Sequence, residues 1–214
     1  YVIPENQENF YSENIIYLPG SYFPRDNNRK IGKKKFTRKD LNISENSFVF
    51  CNFNNSYKIT LEEFEIWMKL LQKIDKSTLL LLETNNEMKK NLHFEAVKFN
   101  INKDRIVFIK KTIFEDHLSR HSLGDLFLDT FNYNAHTTAV DALWTGLPII
   151  TKPGKSFSSR VCGSLLKFFD LDELILKNKD EYYIKALELA ENPHKLKAIK
   201  NKIVKYKDSN KYFN

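Results

Sequence analysis

The residues best suited to chemistry stand together in LDTFNYNAHTTAVDALWTGLPIIT, residues 128–151. An apolar run that reads as a strand leads into His136, Thr137 and Thr138, and a helical pattern follows as far as Gly146. At a helix start, two threonines offer hydroxyls and backbone N–H groups to one anion, where the helix dipole is positive. Asp141, four residues past Thr137, falls on the same helix face and can accept hydrogen bonds from a ribose diol. A threonine N-cap on an ordinary helix accounts for one of these residues, but not for the histidine before it or the aspartate after it. The constellation favours a nucleotide site.

Three other loops carry candidates. NNSYK at 54–58 puts Lys58 between an apolar run and the next helix, where a cation strengthens the preference of a helix start for anions. A solvated surface lysine is the competing reading, and it would prevail if this loop stood alone. His117 and Arg120, in FEDHLSR at 114–120, are three residues apart and share a helix face. From there an imidazole and a guanidinium can stack on a base or ribose and donate to a carbonyl or phosphate; a solvated polar face would look the same. KPGKSFSSR at 152–160 also joins a strand to a helix, with a turn at Pro153-Gly154 and Ser158 or Ser159 placed to cap. It lacks the G-x-x-x-x-G-K spacing of a Walker loop, and no G-x-G-x-x-G occurs in the chain. No cysteine–histidine set has zinc spacing. No metal and no cofactor is expected.

These loops need a scaffold that brings them to one edge, and the apolar pattern supplies it. Short apolar runs predict strands at 48–53, 78–82, 105–109, 125–129 and 148–151, with a sixth at 173–176. Between and after them, helices are expected at 61–74, 87–99, 115–122, 137–144, 158–169, 179–190 and 194–206; the first carries Leu61, Phe64, Trp67, Leu70, Leu71 and Ile74 at helical spacing. Alternating strands and helices predict a Rossmann-like, doubly wound α/β fold with a parallel sheet covered on both faces. Such sheets bind ligands at the carboxyl ends of their strands, near the topological switch point, where the loops above would lie. Residues 1–44 are irregular, with Pro4, Gly20, Pro24, one strand-like piece at 14–18 and the lysine cluster at 29–35. They read as a connector or domain edge, with the folded domain at 45–208.

The totals agree with one soluble domain. The chain has 214 residues and a net charge of +7, but its lysines are spread widely and do not form a designed patch, so no nucleic-acid partner is expected. No apolar run is long enough to span a bilayer, so no membrane partner is expected. Neither a signal peptide nor an initiating Met opens the chain, and a piece of a longer cytoplasmic protein is expected. The two cysteines, Cys51 and Cys162, fit reduced thiols better than a disulfide framework, although one bridge could form between them.

Several motifs together match a known family. CNFNNSYKI (51–59), LDT (128–130), HTTAVDALW (136–144), GLP (146–148), Pro153-Gly154 and SRV (159–161) closely resemble the C-terminal catalytic half of the O-linked N-acetylglucosamine transferases. The similarity runs in order from about 38 to about 203. This resemblance implies the C-terminal half of a GT-B glycosyltransferase, inverting and metal-independent, usually following a tetratricopeptide array. It implies transfer of N-acetylglucosamine from UDP to Ser or Thr hydroxyls, with this half inactive alone. Lys58 would contact the donor phosphates and ease departure of UDP. His136, Thr137 and Thr138 would cradle the diphosphate, Asp141 would hold the ribose, and His117 and Arg120 would surround the uracil. Asn55 stands where the family has glutamine, an exchange that resembles the SPINDLY-type fucosyltransferases and leaves GDP-fucose or another hexose donor as the alternative. A non-catalytic nucleotide-binding scaffold is the other. Phe114 stands where the family carries a lysine near the uracil. By the same resemblance, the protein acceptor would be held by an N-terminal catalytic domain and tetratricopeptide repeats, and 209–214 would be the cut start of a last helix.

Overall fold

The computed structural model describes residues 1–18, 20–23 and 28–208, so 209–214 lie outside the described residues. Among the described residues, five strands form one parallel sheet: β1 (Phe48–Asn52), β2 (Ser77–Leu82), β3 (Ile106–Ile109), β4 (Leu126–Leu128) and β5 (Ile149–Ile150). Their order is β3-β2-β1-β4-β5. The helices are α1 (Leu61–Lys73), α2 (Asn86–Lys98), α3 (Phe114–Ser119), α4 (Thr137–Thr145), α5 (Val161–Phe168), α6 (Lys179–Glu191) and α7 (Pro193–Asp208). Central strands of a parallel sheet are covered on both faces, which is why FVFCN, STLLLL and LFL are apolar without alternation. From β1 the chain builds outward to β2 and β3, then crosses back to lay β4 and β5 on the other side. The carboxyl ends of β1 and β4 therefore flank the switch point.

Local signals fix the helix ends near that edge. Thr60 and Glu63 form a capping box at the start of α1. Glu63 is fully buried, and its second oxygen accepts from the Phe131 N–H at 2.7 Å, tying α1 to the loop after β4. α4 stops at Gly146, whose φ of 81° is the left-handed conformation that a glycine C-cap supplies without strain. Beneath the edge lie the fully buried rings of Phe50, Phe53, Trp67, Phe127 and Tyr182.

Three expectations change. Residues 14–18 form no strand, and Ile16 and Leu18 are exposed, with no strand among the described residues to pair with. The sixth strand contracts to a 3-10 turn (Asp172–Leu174) and one parallel bridge, Thr151 to Ile175. Its neighbour β5 is only two residues long, so there is little edge to extend. Neither Ser158 nor Ser159 caps α5: both sit in the 3-10 turn Phe157–Ser159, and Arg160 takes the cap position without a side-chain bond. Cys51 and Cys162, by contrast, are both buried and free, in keeping with the reading as reduced thiols rather than with a bridge.

The segment before β1 is docked rather than loose. Arg38 donates to the carbonyls of Ser47 (2.8 Å) and Leu123 (3.2 Å) and to the Asp125 carboxylate (2.8 Å), while Ile43 enters the core. No helix among the described residues is long and apolar enough to cross a membrane.

Candidate functional site

A cleft of about 410 Å³ opens at the carboxyl edge of the sheet. Asn55, Lys58, His117, Arg120, Thr137 and Thr138 all line it, joined by Phe53, Phe114 and Tyr57. His136 and Asp141 lie behind this lining. A groove of about 640 Å³ between α1 and α6 is larger, but it is lined by solvated side chains of both signs such as the Glu62–Lys179 pair. It brings no convergent buried groups together, so size does not locate the chemistry here.

Lys58 ends the 3-10 turn Ser56–Lys58 that follows β1, with Asn55 exposed just before it. Its ammonium lies 3.9 Å from the centre of the Tyr133 ring and donates to the Asn134 carbonyl at 2.9 Å. Burial lowers its pKa to about 8, opposed by the negative charge of Asp129. It is thus a partly desolvated cation, half charged near neutrality's upper side and ready to gain charge beside an anion.

Opposite it, α4 begins. The Thr137 and Thr138 backbone N–H groups have no partner among the described residues, as the first turn of a helix dictates. Thr137 is exposed at the mouth, whereas the Thr138 hydroxyl donates to Asn54 Oδ1 and keeps only its acceptor side free. His136 turns away from the lining: its Nε2–H donates to the Ser158 carbonyl at 3.1 Å and its ring stacks on Tyr133 at 4.7 Å. The free nitrogen, Nδ1, is then an acceptor, and burial lowers the pKa of the ring. A neutral His136 in this tautomer shapes the cradle and supports Tyr133 more readily than it donates to a phosphate.

Asp129 holds the whole turn. Completely buried at the end of β4, it accepts from the N–H groups of Thr130 (2.8 Å) and Ala135 (2.6 Å) and from the Thr151 hydroxyl (2.6 Å). Burial raises its pKa to about 6, and these donors pull the other way. Asn54, also buried, donates to Thr130 Oγ1 at 3.1 Å and accepts from Thr138, so it links the loop of Lys58 to the start of α4.

At the far end, His117 and Arg120 do share a face: Arg120 Nη2 donates to His117 Nδ1 at 3.2 Å. That places the His117 proton on Nε2, free to donate to a carbonyl in the cleft. Burial, then the Arg120 charge, lowers the His117 pKa to about 4, so the ring is neutral at physiological pH. Arg120 opens a 3-10 turn (Arg120–Leu123) rather than extending α3, pins the Lys110 carbonyl, and leaves Nε buried without an acceptor among the described residues. His121, fully enclosed behind them with its pKa lowered to about 3 by burial, packs edge-on to both His117 and Phe53. Asp141, nearly buried, is ion-paired with Arg29 of the connector.

Sequence reasoning found the lining but not its supports. Asn54, Asp129, Tyr133, Asn134 and Arg29 lie in what the sequence pattern presents as loop, strand end or connector. For Asn54 and Asp129 a signal existed, since a polar residue at the inner end of an apolar strand needs buried partners; for Arg29 there was none.

The model of glycosyl transferase family 41 matches residues 27–214. The chain is 33% identical over 205 residues to the probable UDP-N-acetylglucosamine–peptide N-acetylglucosaminyltransferase SEC of Arabidopsis thaliana, covering 93% of this chain and 21% of that protein. It is 35% identical over 167 residues to the Caenorhabditis elegans UDP-N-acetylglucosamine–peptide N-acetylglucosaminyltransferase, covering 78% and 14%. It therefore spans about a fifth or less of the length of these relatives. Among solved structures, a point mutant of the Thermobaculum terrenum O-GlcNAc transferase superposes with a TM-score of 0.81 at 24% identity, over 97% of this chain and 39% of that one. The C-terminal domain of a group 1 glycosyl transferase from Francisella tularensis superposes with a TM-score of 0.64 at 13% identity, over 89% of this chain and all (100%) of that one. The fold is the Rossmann-like C-terminal half of a GT-B glycosyltransferase, and the chain belongs to glycosyl transferase family 41.

Proposed function

We propose that this chain is the nucleotide-sugar-binding half of an inverting, metal-independent glycosyltransferase that moves N-acetylglucosamine from its UDP donor to Ser or Thr hydroxyls of proteins. The observation that carries the reading is the convergence, at one cleft, of a desolvated lysine, the free N-terminus of α4 and the His117–Arg120 pair. The names of the relatives above support the choice of donor.

In this reading the acceptor oxygen attacks the anomeric carbon, and the bond to the diphosphate breaks with its electron pair going to UDP. The acceptor proton passes to a base supplied elsewhere in the whole protein. Lys58 and the Thr137 and Thr138 N–H groups meet the negative charge that grows on the leaving diphosphate, which is where fixed donors accelerate most. Asn55 lies beside the sugar, and His136 holds the cradle's shape. Asp141 accepts from the ribose. His117 Nε2–H and Arg120 donate to carbonyls of the uracil. Acceptor binding belongs to an N-terminal catalytic domain and tetratricopeptide repeats of the whole protein, working in the cytoplasm, and this half alone does not turn over.

The test is turnover by the whole protein with UDP-N-acetylglucosamine, GDP-fucose and UDP-glucose in parallel. Turnover with UDP-N-acetylglucosamine that is abolished by Lys58→Ala, with folding intact, is the expected result. Turnover of GDP-fucose alone would overturn the donor, and none with any donor would favour a scaffold.

A further inference from the structure

Arg29 comes from the connector, outside the sheet, yet its side chain is only 8% exposed. Nη2 pairs with the Asp141 carboxylate, and the guanidinium carbon lies 4.9 Å from the centre of the Phe114 ring. Nη1 is buried and has no hydrogen-bond partner among the described residues. A buried N–H without an acceptor is costly. The rigid guanidinium fork cannot swing Nη1 to solvent while Nη2 keeps its ion pair. Phe114 lines the cleft and Asp141 sits one turn beyond Thr137, so the unsatisfied donor lies directly behind the cleft lining, against Phe114 and Asp141.

The connector is seated to hold it there. The Gly32 N–H donates to the Glu115 carbonyl at 2.9 Å, and the Ser119 hydroxyl donates to the Lys34 carbonyl at 2.6 Å. A Cβ at position 32 would meet Asp116 Oδ1 at 2.8 Å and the Glu115 carbonyl oxygen at 2.9 Å. Only glycine lets the connector lie this close to α3.

We propose that Arg29 is a nucleoside-binding residue: Nη2 fixes the Asp141 carboxylate for the ribose, while Nη1 donates to an acceptor oxygen of the nucleoside. This rests on the donor-site reading above. Arg29 then gives the connector a direct part in choosing the donor, from a segment that belongs to neither face of the sheet.

Calorimetric titration of the chain with UDP and with inorganic pyrophosphate separates the possibilities. Arg29→Lys keeps a cation beside Asp141 but loses the second nitrogen. It should weaken UDP about tenfold, the loss of one charge-assisted hydrogen bond, and leave pyrophosphate unchanged. Gly32→Ala, which keeps Arg29 but lifts the connector, should give the same pattern, whereas Lys58→Ala should weaken both ligands. UDP binding that is unchanged or tighter in Arg29→Lys would overturn the proposal, tighter binding meaning that Arg29 plugs the site. Equal weakening of UDP and pyrophosphate would also overturn it, since that is a structural effect. If the unaltered chain bound neither ligand, the donor-site reading itself would fall, and the role of Arg29 with it.

Discussion

The two ends of the cleft are built by different means. At the Lys58 end every part hangs from the sheet: Asp129 at the tip of β4 closes the turn that presents Asn134 and Tyr133 to the lysine, and Asn54 at the tip of β1 reaches Thr138. At the Arg120 end the parts come from a six-residue helix, a 3-10 turn and a connector laid against them. The first end is fixed by buried, multiply bonded polar groups; the second is assembled from neighbours that are bonded but not anchored in strands. A diphosphate needs only well-placed positive groups, which strand ends and a helix start provide. A nucleoside must be recognised by shape and by individual hydrogen bonds, and loops vary more freely.

The most severe way to break the Lys58 end is Asp129→Ala. It strands two backbone N–H groups and the Thr151 hydroxyl in the interior, and about 3–5 kcal/mol of stability should be lost in urea unfolding. An equivalent truncation at the other end, His117→Ala, should cost clearly less, and equal losses would erase the contrast. Next in size, Lys58→Ala should lower turnover of the whole protein by about 10²–10³ while its unfolding midpoint stays put. A change in the Michaelis constant alone would make Lys58 a ground-state contact.

Acidity sharpens the comparison further. With a pKa of about 8, Lys58 loses its charge as pH rises through that value, so UDP affinity should fall about tenfold from about pH 7 to about pH 9 and stay flat in Lys58→Ala. His117, at about 4, is already neutral throughout this window and should add no slope. The smallest effect belongs to Thr138→Val. Losing the bond to Asn54 should cost about 1 kcal/mol of stability and loosen UDP a few-fold, read by melting and titration.

The same contrast explains what the sequence disclosed. Strands announce themselves as apolar runs, and His136-Thr137-Thr138 stands out because residues adjacent in sequence act at one place. His117 and Arg120 show a shared face by their short spacing, but a solvated face would look the same, and Lys58 stood out only once the other motifs and the family resemblance were set beside its loop. Arg29 and Asp141 lie 112 positions apart, and nothing local says that the connector folds back over α3. Asp129 was visible only as a polar end to an apolar strand, because its donors are two backbone N–H groups, which carry no sequence signature, and the hydroxyl of Thr151, 22 positions on. The lost sixth strand is a similar case: 173–176 has the right pattern, but a two-residue neighbour leaves room for only one bridge.

The most direct test is a calorimetric titration of the folded chain with UDP, with GDP as comparator and Lys58→Ala as control. UDP should bind, GDP should not, and the lysine variant should bind UDP more weakly with its fold unchanged. UDP that fails to bind the folded chain, or that binds equally well without Lys58, would contradict a donor site at this cleft.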